Sequence, residues 1–344
     1  MERGFSMKVD ANTLVLAIET SCDETAASLV LGGTDVVSSV VSSQIEIHAR
    51  FGGVVPEVAS RAHVEALPHV VDQAIAQAGV SPERIDAVAA TMGPGLIGAL
   101  LVGVAAAKSY ALAWSVPFIG VNHLEAHLYA ALLDDPDLEF PLLVTLVSGG
   151  HTMLIEMRGH GDYAILGRTI DDAAGEAFDK VARYLDLGYP GGPAVERTAR
   201  AGDAAAINFP RGMLHDGLDF SFSGLKTAVI NHVRANPDVD SADVAASFQE
   251  AVVDVLARKA ERAATQIGAR GLALGGGVAA NGPLRERFKQ IADSLGVKCS
   301  LPSREMCTDN AAMIGAAAWY RLRSDGPMSF DTGAFPNLAL PVTQ

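Results

Sequence analysis

The chain has 344 residues, about half of them hydrophobic, which suits two domains or one large bilobal unit with an ordinary core. Its formal net charge of -14 argues against a protein that binds nucleic acid over a broad face, because phosphate contacts need Lys and Arg. An RNA substrate would therefore have to meet a local basic face or a basic partner subunit.

Three cysteines, Cys22, Cys299 and Cys307, are too sparse for a disulfide framework and indicate a reducing, cytoplasmic setting. Residues 1–12 carry charges and lack the apolar core of a signal peptide. The most apolar run, residues 96–107, falls short of the roughly 18 residues that span a bilayer. We therefore predict that this run is a buried helix and that the chain has no membrane partner.

The first half of the chain is predicted to contain both strands and helices. Residues 14–18 and 26–31 form apolar runs around the polar stretch Glu19–Thr25, which predicts a hairpin whose turn can meet a ligand. The remaining elements predicted here are a strand at 36–43, a helical region at 56–78 with a break or kink at Pro68, a strand at 85–91, a helix ending near 113, a strand at 118–121 and a helix that opens at Asn122.

The same order of predicted elements begins again near residue 141. Strands at 142–147 and 152–157 flank a turn of sequence SGGH, and a strand at 271–274 leads through three glycines into a helix near Pro283. A strand, ligand turn and strand thus occur twice, which predicts a duplicated α/β architecture with a cleft between two halves.

The sharpest local pattern is Asn122-His-Leu-Glu-Ala-His127. With Asn122 as helix N-cap, His123 and His127 lie four residues apart on one helix face, where two imidazoles can share a metal ion. A carboxylate from elsewhere would complete a set suited to Fe(II) or Zn(II). A structural histidine pair is the simpler alternative. A zinc protease is disfavoured because its glutamate directly follows the first histidine, whereas Glu125 lies two residues on and suits a capping box.

Glycine turns form a second pattern. The SGG at 148–150 and the GGG at 275–277, followed by Asn281, offer backbone N–H groups to a phosphate or carboxylate, although glycine turns are commonplace. The PGGP loop at 190–193, with Glu196 behind it, is able to seat a sugar or base. The two glycine turns, together with the Glu19–Thr25 stretch in a matching hairpin of the first half, make a stronger case for ligand binding than either turn does alone.

Three acidic residues occur at predicted helix starts. Asp171 and Asp172 are expected to cap the helix that follows them. Asp309 precedes the helix predicted from residue 311 and is either its N-cap or the third metal ligand.

Taken together, these residues resemble the tRNA N6-adenosine threonylcarbamoyltransferase family, the bacterial TsaD proteins once described as O-sialoglycoprotein endopeptidases. The resemblance runs in family order from about residue 14 to 323. Its segments are IETSCDETAASLV, SSQIEIHARFGGVVPEVASRAHVE, GPGLIGALLVG, NHLEAHLYA, LVSGGHT, DDAAGEAFDKVARYLDLGYPGGP, FSFSGLKTAV, GGGVAANGPLR and CTDNAAMIG.

The resemblance implies an actin-like (ASKHA) duplicated two-lobe α/β fold with a central interlobe cleft. The first lobe would span 13–134, with a helical insertion at about 45–80, and be completed by a C-terminal helix at about 308–325. The second lobe would span 135–307, with an elaboration at about 171–236. The leader at 1–12 and the tail at 336–344 are expected to be flexible.

The resemblance also assigns roles to individual residues. The metal ligands would be His123, His127 and Asp309, with Fe(II) preferred and Zn(II) as the alternative. The threonylcarbamoyl-AMP site would be formed by Leu146, Val147, Ser148, Gly149, Gly150, Asp179, Gly192, Glu196 and Asn281. Asp23 or Glu24 is the candidate acceptor of the proton from the acceptor amine, and turn chemistry explains both residues equally well.

The function implied is transfer of threonylcarbamoyl from its adenylate to N6 of adenosine 37 in tRNAs that read codons starting with A. In a bacterium, the expected partners are a paralogous dimerisation subunit (TsaB) and an ATPase subunit (TsaE). An actin-like ATPase or sugar kinase is the alternative, separated by metal content because it needs no paired histidines. A metalloprotease and a non-catalytic scaffold fit less well.

Overall fold

A computed structural model describes residues 8–343, which form two compact units. The first unit comprises residues 8–136 together with Thr308–Pro341, and the second comprises residues 137–307 with 342–343. Residues 1–7 of the predicted leader, and residue 344 of the predicted tail, lie outside the described part. The predicted lobes, 13–134 with about 308–325 and 135–307, can be compared with these limits. The predicted cleft depends on how the two units are arranged and stays a prediction.

The first unit is built on a five-stranded sheet in the order β3-β2-β1-β4-β5. Its strands are β1 (Leu14–Glu19), β2 (Glu24–Leu31), β3 (Asp35–Ser43), β4 (Ala87–Gly93) and β5 (Phe118–Asn122). Its helices are α1 (Ile45–Ala49), α2 (Pro56–Ala78), α3 (Ile97–Trp114), α4 (His123–Asp134) and, from the end of the chain, α11 (Ala311–Asp325), with a 3-10 helix at Pro82–Arg84.

The second unit repeats this plan with the sheet order β8-β7-β6-β9-β10. Its strands are β6 (Leu142–Val147), β7 (Thr152–Gly159), β8 (Asp162–Arg168), β9 (Gly271–Gly275) and β10 (Lys298–Ser300). Its helices are α5 (Ala174–Tyr184), α6 (Gly191–Ala199), α7 (Ser223–Ala235), α8 (Ser241–Ile267), α9 (Gly282–Leu295) and α10 (Arg304–Cys307), with a 3-10 helix at Gly277–Ala280.

The two sheets have the same topology, strand for strand. In each, a central strand pairs antiparallel with the next strand in the chain (β1 with β2, β6 with β7) and parallel with a later one (β1 with β4, β6 with β9). The central strands are continuous buried runs, as expected for strands covered on both faces. The predicted duplication is therefore confirmed.

Helix α11 completes the first unit, packing against β1, β2 and α4. Gly315 makes this approach possible, because a Cβ atom there would stand 2.5 Å from Val30 Cγ2. The helix brings the residues just before it, including Asp309, to the part of the unit that carries α4.

Helix α2 runs unbroken through Pro68, so the predicted break is wrong. The helix face that holds Leu67, Val70 and Val71 is buried in the core of the first unit, and this packing offsets the backbone hydrogen bond that proline removes.

Only one third of helix α3 is buried, which corrects the prediction of a buried helix. Ala99, Leu100 and Val104 are buried, but Leu101 and Leu112 are 52% and 63% exposed. Among the described residues, α3 alone is long and apolar enough to cross a membrane by length and composition, a property that core helices share. The prediction of no membrane partner is not tested by this.

The segment after α11, predicted to be partly flexible, is attached to the units over its described length. The Ala339 carbonyl accepts a 2.8 Å hydrogen bond from Asn122 Nδ2, Leu340 is buried, and the Thr343 N–H donates to the Tyr163 carbonyl over 3.0 Å. These contacts argue against a flexible tail over residues 336–343. At the other end, the Asp10 carbonyl accepts from Trp319 Nε1 over 3.1 Å.

Candidate functional site

Strand β5 leads directly into helix α4, which carries the two histidines. Asn122 ends the strand and caps α4, because its Oδ1 accepts from the Leu124 and Glu125 N–H groups over 2.9 and 3.2 Å. The next helical turn then places His123 and His127 on one face, with ring centroids 4.8 Å apart. The predicted cap and the predicted shared face are both present.

Asp309 meets this pair. Its Oδ1 lies 3.5 Å from His123 Nε2 and 3.3 Å from His127 Nε2, and one ligand atom from each residue falls within a 4.8 Å cluster. The N-cap of α11 is Asn310, whose Oδ1 accepts from the Met313 N–H over 3.0 Å. The alternative role of Asp309 as the N-cap is therefore wrong, and its carboxylate is available to the histidines.

His127 supplies the test of whether the cluster fits a metal ion. Both of its ring nitrogens are buried, and neither makes a hydrogen bond within the described part of the chain. The 3.3 Å approach of Asp309 to Nε2 is a close contact without hydrogen-bond geometry. A buried nitrogen lone pair without a donor, beside a second imidazole and a carboxylate, fits a divalent cation such as Fe(II) or Zn(II).

Glu19 orients His123 and was not among the predicted site residues. Its Oε2 lies 3.2 Å from His123 Nδ1 and accepts from Thr91 Oγ1, while its Oε1 accepts from the Ser21 N–H. This carboxylate–histidine pairing fixes the ring so that Nε2 faces Asp309. The signal in the sequence was a carboxylate at the end of a wholly buried strand, a position tolerated only with strong partners.

The charges of this cluster shift one another's pKa values. Burial lowers the pKa of His123, but the carboxylates of Asp309 and Glu19 outweigh that effect and raise it to about 9. Burial raises the pKa of Glu19, and the facing imidazolium of His123 more than reverses this, so the net direction is downward. The protein without a cation therefore holds an ion pair that a cation would replace.

The two candidate bases differ in their surroundings. In the protein without a cation, burial, then the charges of Asp309 and Asp23, raise the pKa of Glu24 to about 9, which favours its neutral carboxyl. A protonated carboxyl accepts no proton, which makes Asp23 the better candidate of the two. Because the charge of Asp309 contributes to the raised pKa of Glu24, these two carboxyl groups lie within electrostatic range of each other.

In the second unit, the SGG turn joins β6 to β7. The Ser148 N–H donates to the His151 carbonyl over 2.8 Å, so this donor is already used, contrary to our expectation that it faces a ligand. Gly149 and Gly150 are exposed, and their N–H groups donate no hydrogen bond within the described chain. Leu146 and Val147 are buried in β6, so only their backbone atoms are candidates for ligand contact.

Glycines near this turn fall into two groups. Gly175 and Gly276 are required by the fold, because a Cβ atom at either would lie 2.5 Å from the backbone carbonyl of Ser148 or Val147, and Gly276 has φ +84°. Gly192 and Gly277 have no such constraint: nothing lies within 4 Å of a Cβ atom, and neither has a left-handed φ. Open space beside a glycine that the fold does not require is expected where a ligand approaches the backbone.

Asp179 holds the start of α6. Its Oδ1 accepts from the Gly191 N–H over 2.8 Å, so the PGGP stretch forms the first turn of this helix rather than the open loop predicted. Gly192, the next residue, is thereby placed at the N-terminus of α6. Asp179 therefore stabilises the first turn of α6 through this hydrogen bond.

Asn281 and Glu196 lie together, as predicted, but the amide of Asn281 is largely engaged. Its Oδ1 caps α9 by accepting from the Leu284 N–H, and its Nδ2 lies 2.8 Å from Gln249 Oε1 and 3.4 Å from Glu196 Oε2. A direct phosphate or base contact by Asn281 is therefore less favoured than a role in holding Glu196. Gln249, on α8, was missed because nothing local marks it.

Asp171 and Asp172 do not cap the helix that follows them. Asp171 accepts from the Phe222 and Ser223 N–H groups over 2.9 and 3.3 Å, so it caps α7, and Asp172 pairs with Lys180 and Lys226 at 2.9 Å each. At the start of α5, the Ala174 N–H donates instead to Thr152 Oγ1 over 2.9 Å. The prediction was wrong because a long-range partner replaced the local one.

Comparison with known proteins identifies the chain. The family model of tRNA N6-adenosine threonylcarbamoyltransferase matches residues 35–316. Proteins of that name from Symbiobacterium thermophilum and Moorella thermoacetica are 52% and 54% identical to it, covering 98% and 95% of this chain and 99% and 97% of their own.

A solved structure supports the fold. HypF of T. kodakarensis matches 93% of this chain and 50% of its own with a TM-score of 0.63 at 16% identity, which supports the predicted actin-like two-lobe α/β fold and nothing more. With a family model over most of its length and relatives at half identity along nearly all of it, the chain belongs to the tRNA N6-adenosine threonylcarbamoyltransferase family and is a transferase.

Proposed function

We propose that this chain transfers the threonylcarbamoyl group of threonylcarbamoyl-AMP to N6 of adenosine 37 in tRNAs that read codons starting with A. The observation that carries the proposal is family membership along nearly the whole chain. The meeting of Asp309 with His123 and His127, a pair distant from it in sequence, supports the proposal independently.

The acceptor amine sets the chemical requirement. Its lone pair is delocalised into the adenine ring, so it is a poor nucleophile and catalysis rests on positioning and charge stabilisation. The N6–C bond forms, the bond between the carbamoyl carbon and the phosphate oxygen breaks, AMP leaves and one proton leaves N6. Asp23 is the acceptor we favour for that proton, because burial and the neighbouring charge of Asp23 favour the neutral form of Glu24.

His123, His127 and Asp309 would hold one divalent cation, with Fe(II) preferred and Zn(II) as the alternative. When bound, such an ion supplies Lewis-acid stabilisation of negative charge on the donor. Glu19 keeps the ring of His123 turned toward it.

The second unit would bind the donor. The N–H groups of Gly149 and Gly150 are suited to donate to its negative charge, and the open faces of Gly192 and Gly277 leave room for its adenylate. Glu196 is suited to accept from a ribose hydroxyl, held by Asn281. Asp179 acts by fixing the turn that presents Gly192.

Partner subunits would assist with tRNA. The net charge of -14 leaves this chain poorly equipped to hold tRNA alone. A paralogous subunit of the TsaB kind and an ATPase of the TsaE kind are the partners we propose. Exposed apolar side chains on neighbouring helices, with Val64 on α2 at 60% and Ile97 and Leu101 on α3 at 46% and 52%, suit a protein interface.

Reconstitution tests the function. The purified chain is incubated with unmodified tRNA and threonylcarbamoyl-AMP, with and without the two partner subunits, and the nucleosides are read by mass spectrometry. We expect N6-threonylcarbamoyladenosine only when this chain is present. Product formation by the partners alone, or none under any combination, would contradict the proposal.

A further inference from the structure

Three polar side chains of the helical insertion form a buried network beside the Glu19–Thr25 turn. Gln44 directly precedes α1, His48 lies in α1 and His63 lies in α2, and each is at most 4% exposed. All belong to the segment SSQIEIHARFGGVVPEVASRAHVE, to which no role in the reaction has been assigned above.

The hydrogen bonds of this network run in one direction. The Val55 N–H donates to His48 Nδ1 over 3.3 Å, and His48 Nε2 donates to Gln44 Oε1 over 3.0 Å. Gln44 Nε2 then donates to His63 Nδ1 over 3.3 Å, and His63 Nε2 donates to the Cys22 carbonyl over 3.0 Å.

The two ends determine this direction. A backbone N–H can only donate and a carbonyl can only accept, so both imidazoles are neutral and carry their proton on Nε2. The Thr25 hydroxyl donates to the same Nδ1 of His63 over 2.8 Å, which agrees with this tautomer. Burial also lowers the pKa of His63, which favours the neutral ring.

The network ends on the turn that carries the candidate base. His63 holds the Cys22 carbonyl, and the Gln44 N–H donates to the next carbonyl, that of Asp23, over 2.9 Å. Two successive peptide groups are thus fixed from the insertion. The same turn carries Ser21, whose Oγ lies 3.3 Å from His123 Nδ1.

We propose that His63 and Gln44 are positioning residues for the transfer reaction, because they hold the Cys22–Asp23 backbone of the turn that carries the candidate base Asp23 and contacts His123 through Ser21. The inference rests on the proposed function and deepens it. An apolar side chain at position 63 would fill the space but leave the Cys22 carbonyl without its donor, at a cost typical of a buried unsatisfied group.

A pair of substitutions separates positioning from packing. His63→Gln keeps a donor near the position of Nε2, whereas His63→Asn keeps polar atoms only near the position of Nδ1. We expect His63→Asn to lower kcat about 10- to 100-fold, a loss typical of residues that orient a site without touching the ligand. Metal content and KM for the donor should be unchanged. His63→Gln should recover most of kcat.

The control is His69→Asn, which makes the same change at an exposed position of the same helix and should match the wild type. Equal kcat in His63→Asn and the wild type would overturn the inference, as would a loss of kcat that follows the folded fraction or that His63→Gln does not relieve.

Hydrogen exchange provides a readout that needs no activity. Peptides covering residues 19–25 should exchange faster in His63→Asn than in the wild type or in His69→Asn. Unchanged exchange there would refute the positioning role even if the wild type proved inactive in transfer, and inactivity of the wild type with faster exchange in His63→Asn would refute the proposed function alone.

Discussion

The turn between β1 and β2 and the turn between β6 and β7 occupy equivalent places in two sheets of the same topology, yet their chemistry is opposite. The first presents side chains: those of Glu19 and Ser21 lie beside His123, and the backbone of the turn is held by His63. The second presents backbone, since Gly149 and Gly150 are exposed and have no side chain to offer.

Under the proposed function, this difference divides one reaction between the two copies of the fold. Side chains with shifted pKa values suit a metal and proton transfer, whereas bare N–H groups suit an anion. The carbonyls of the first turn accept hydrogen bonds, so its backbone can hold a carboxylate in place. The second turn has no side chains at its glycines, so a ligand can approach its backbone closely. Four substitutions test this division.

The largest effect is expected from His127→Ala. Losing one of two imidazoles should abolish tight metal binding and lower turnover about 100-fold or more, because Lewis-acid stabilisation is worth several kcal/mol. Metal content by mass spectrometry and the transfer assay check this, and circular dichroism verifies the fold. A metal-free variant with full activity would exclude the metal site from the reaction.

Glu19→Gln is expected to weaken metal affinity about 10- to 100-fold, because the amide orients His123 without the negative charge. The matched control is Glu125→Gln on α4, where a buried carboxylate accepts from Arg321 Nε over 2.9 Å. That control should retain its metal. Equal metal loss in both variants would mean that any buried carboxylate near α4 has the same effect.

Gly192→Ala tests the second turn region. Alanine at this helical position should raise the free energy of unfolding by about 0.5–1 kcal/mol and yet weaken donor binding, since the added methyl occupies the space beside α6. Calorimetry for stability and titration for donor affinity measure the two effects. Gly276→Ala, where the fold requires glycine, should instead destabilise the protein. Unchanged donor affinity in Gly192→Ala would count against the open face as a binding surface.

The smallest effect is expected from Asp171→Ala, which removes the cap of α7 and should cost about 1 kcal/mol of stability. Its hydroxyl and N–H partners outweigh burial and lower the pKa of Asp171, so the cap stabilises above the ordinary carboxyl pKa, about 4, and is lost as the pH falls through the lowered value. Thermal melts of both proteins should therefore converge at acid pH while transfer is unchanged at pH 7. Lost transfer would make this carboxylate part of the site.

What the sequence predicted well was local. The cap at Asn122 and the shared face of the histidines follow from spacing along one helix, and strands β1 to β7 and β9 follow from apolar or β-branched runs. The edge strands β8 and β10 were not predicted. What else the sequence missed depends on distant partners: Glu19 meets Thr91 and His123, 72 and 104 residues away, and Asp171 meets Ser223, 52 residues away.

Neighbouring capping residues were also hard to separate. Asp309 and Asn310 are both good N-caps, and only the packing of α11 decides that Asn310 takes the cap while the carboxylate turns to the histidines. Resemblance to a family supplied that assignment where spacing could not.

The first unit is assembled from both ends of the chain, with the second unit between them in sequence. A ribosome therefore releases His123 and His127 long before it has made Asp309 and α11. The nascent chain cannot close the three-residue cluster, or cover β1 with its last helix, until synthesis is nearly finished. If the three residues hold a cation as proposed, its capture is a late event in synthesis, and a chain truncated before residue 308 lacks the proposed third ligand however well its second unit folds.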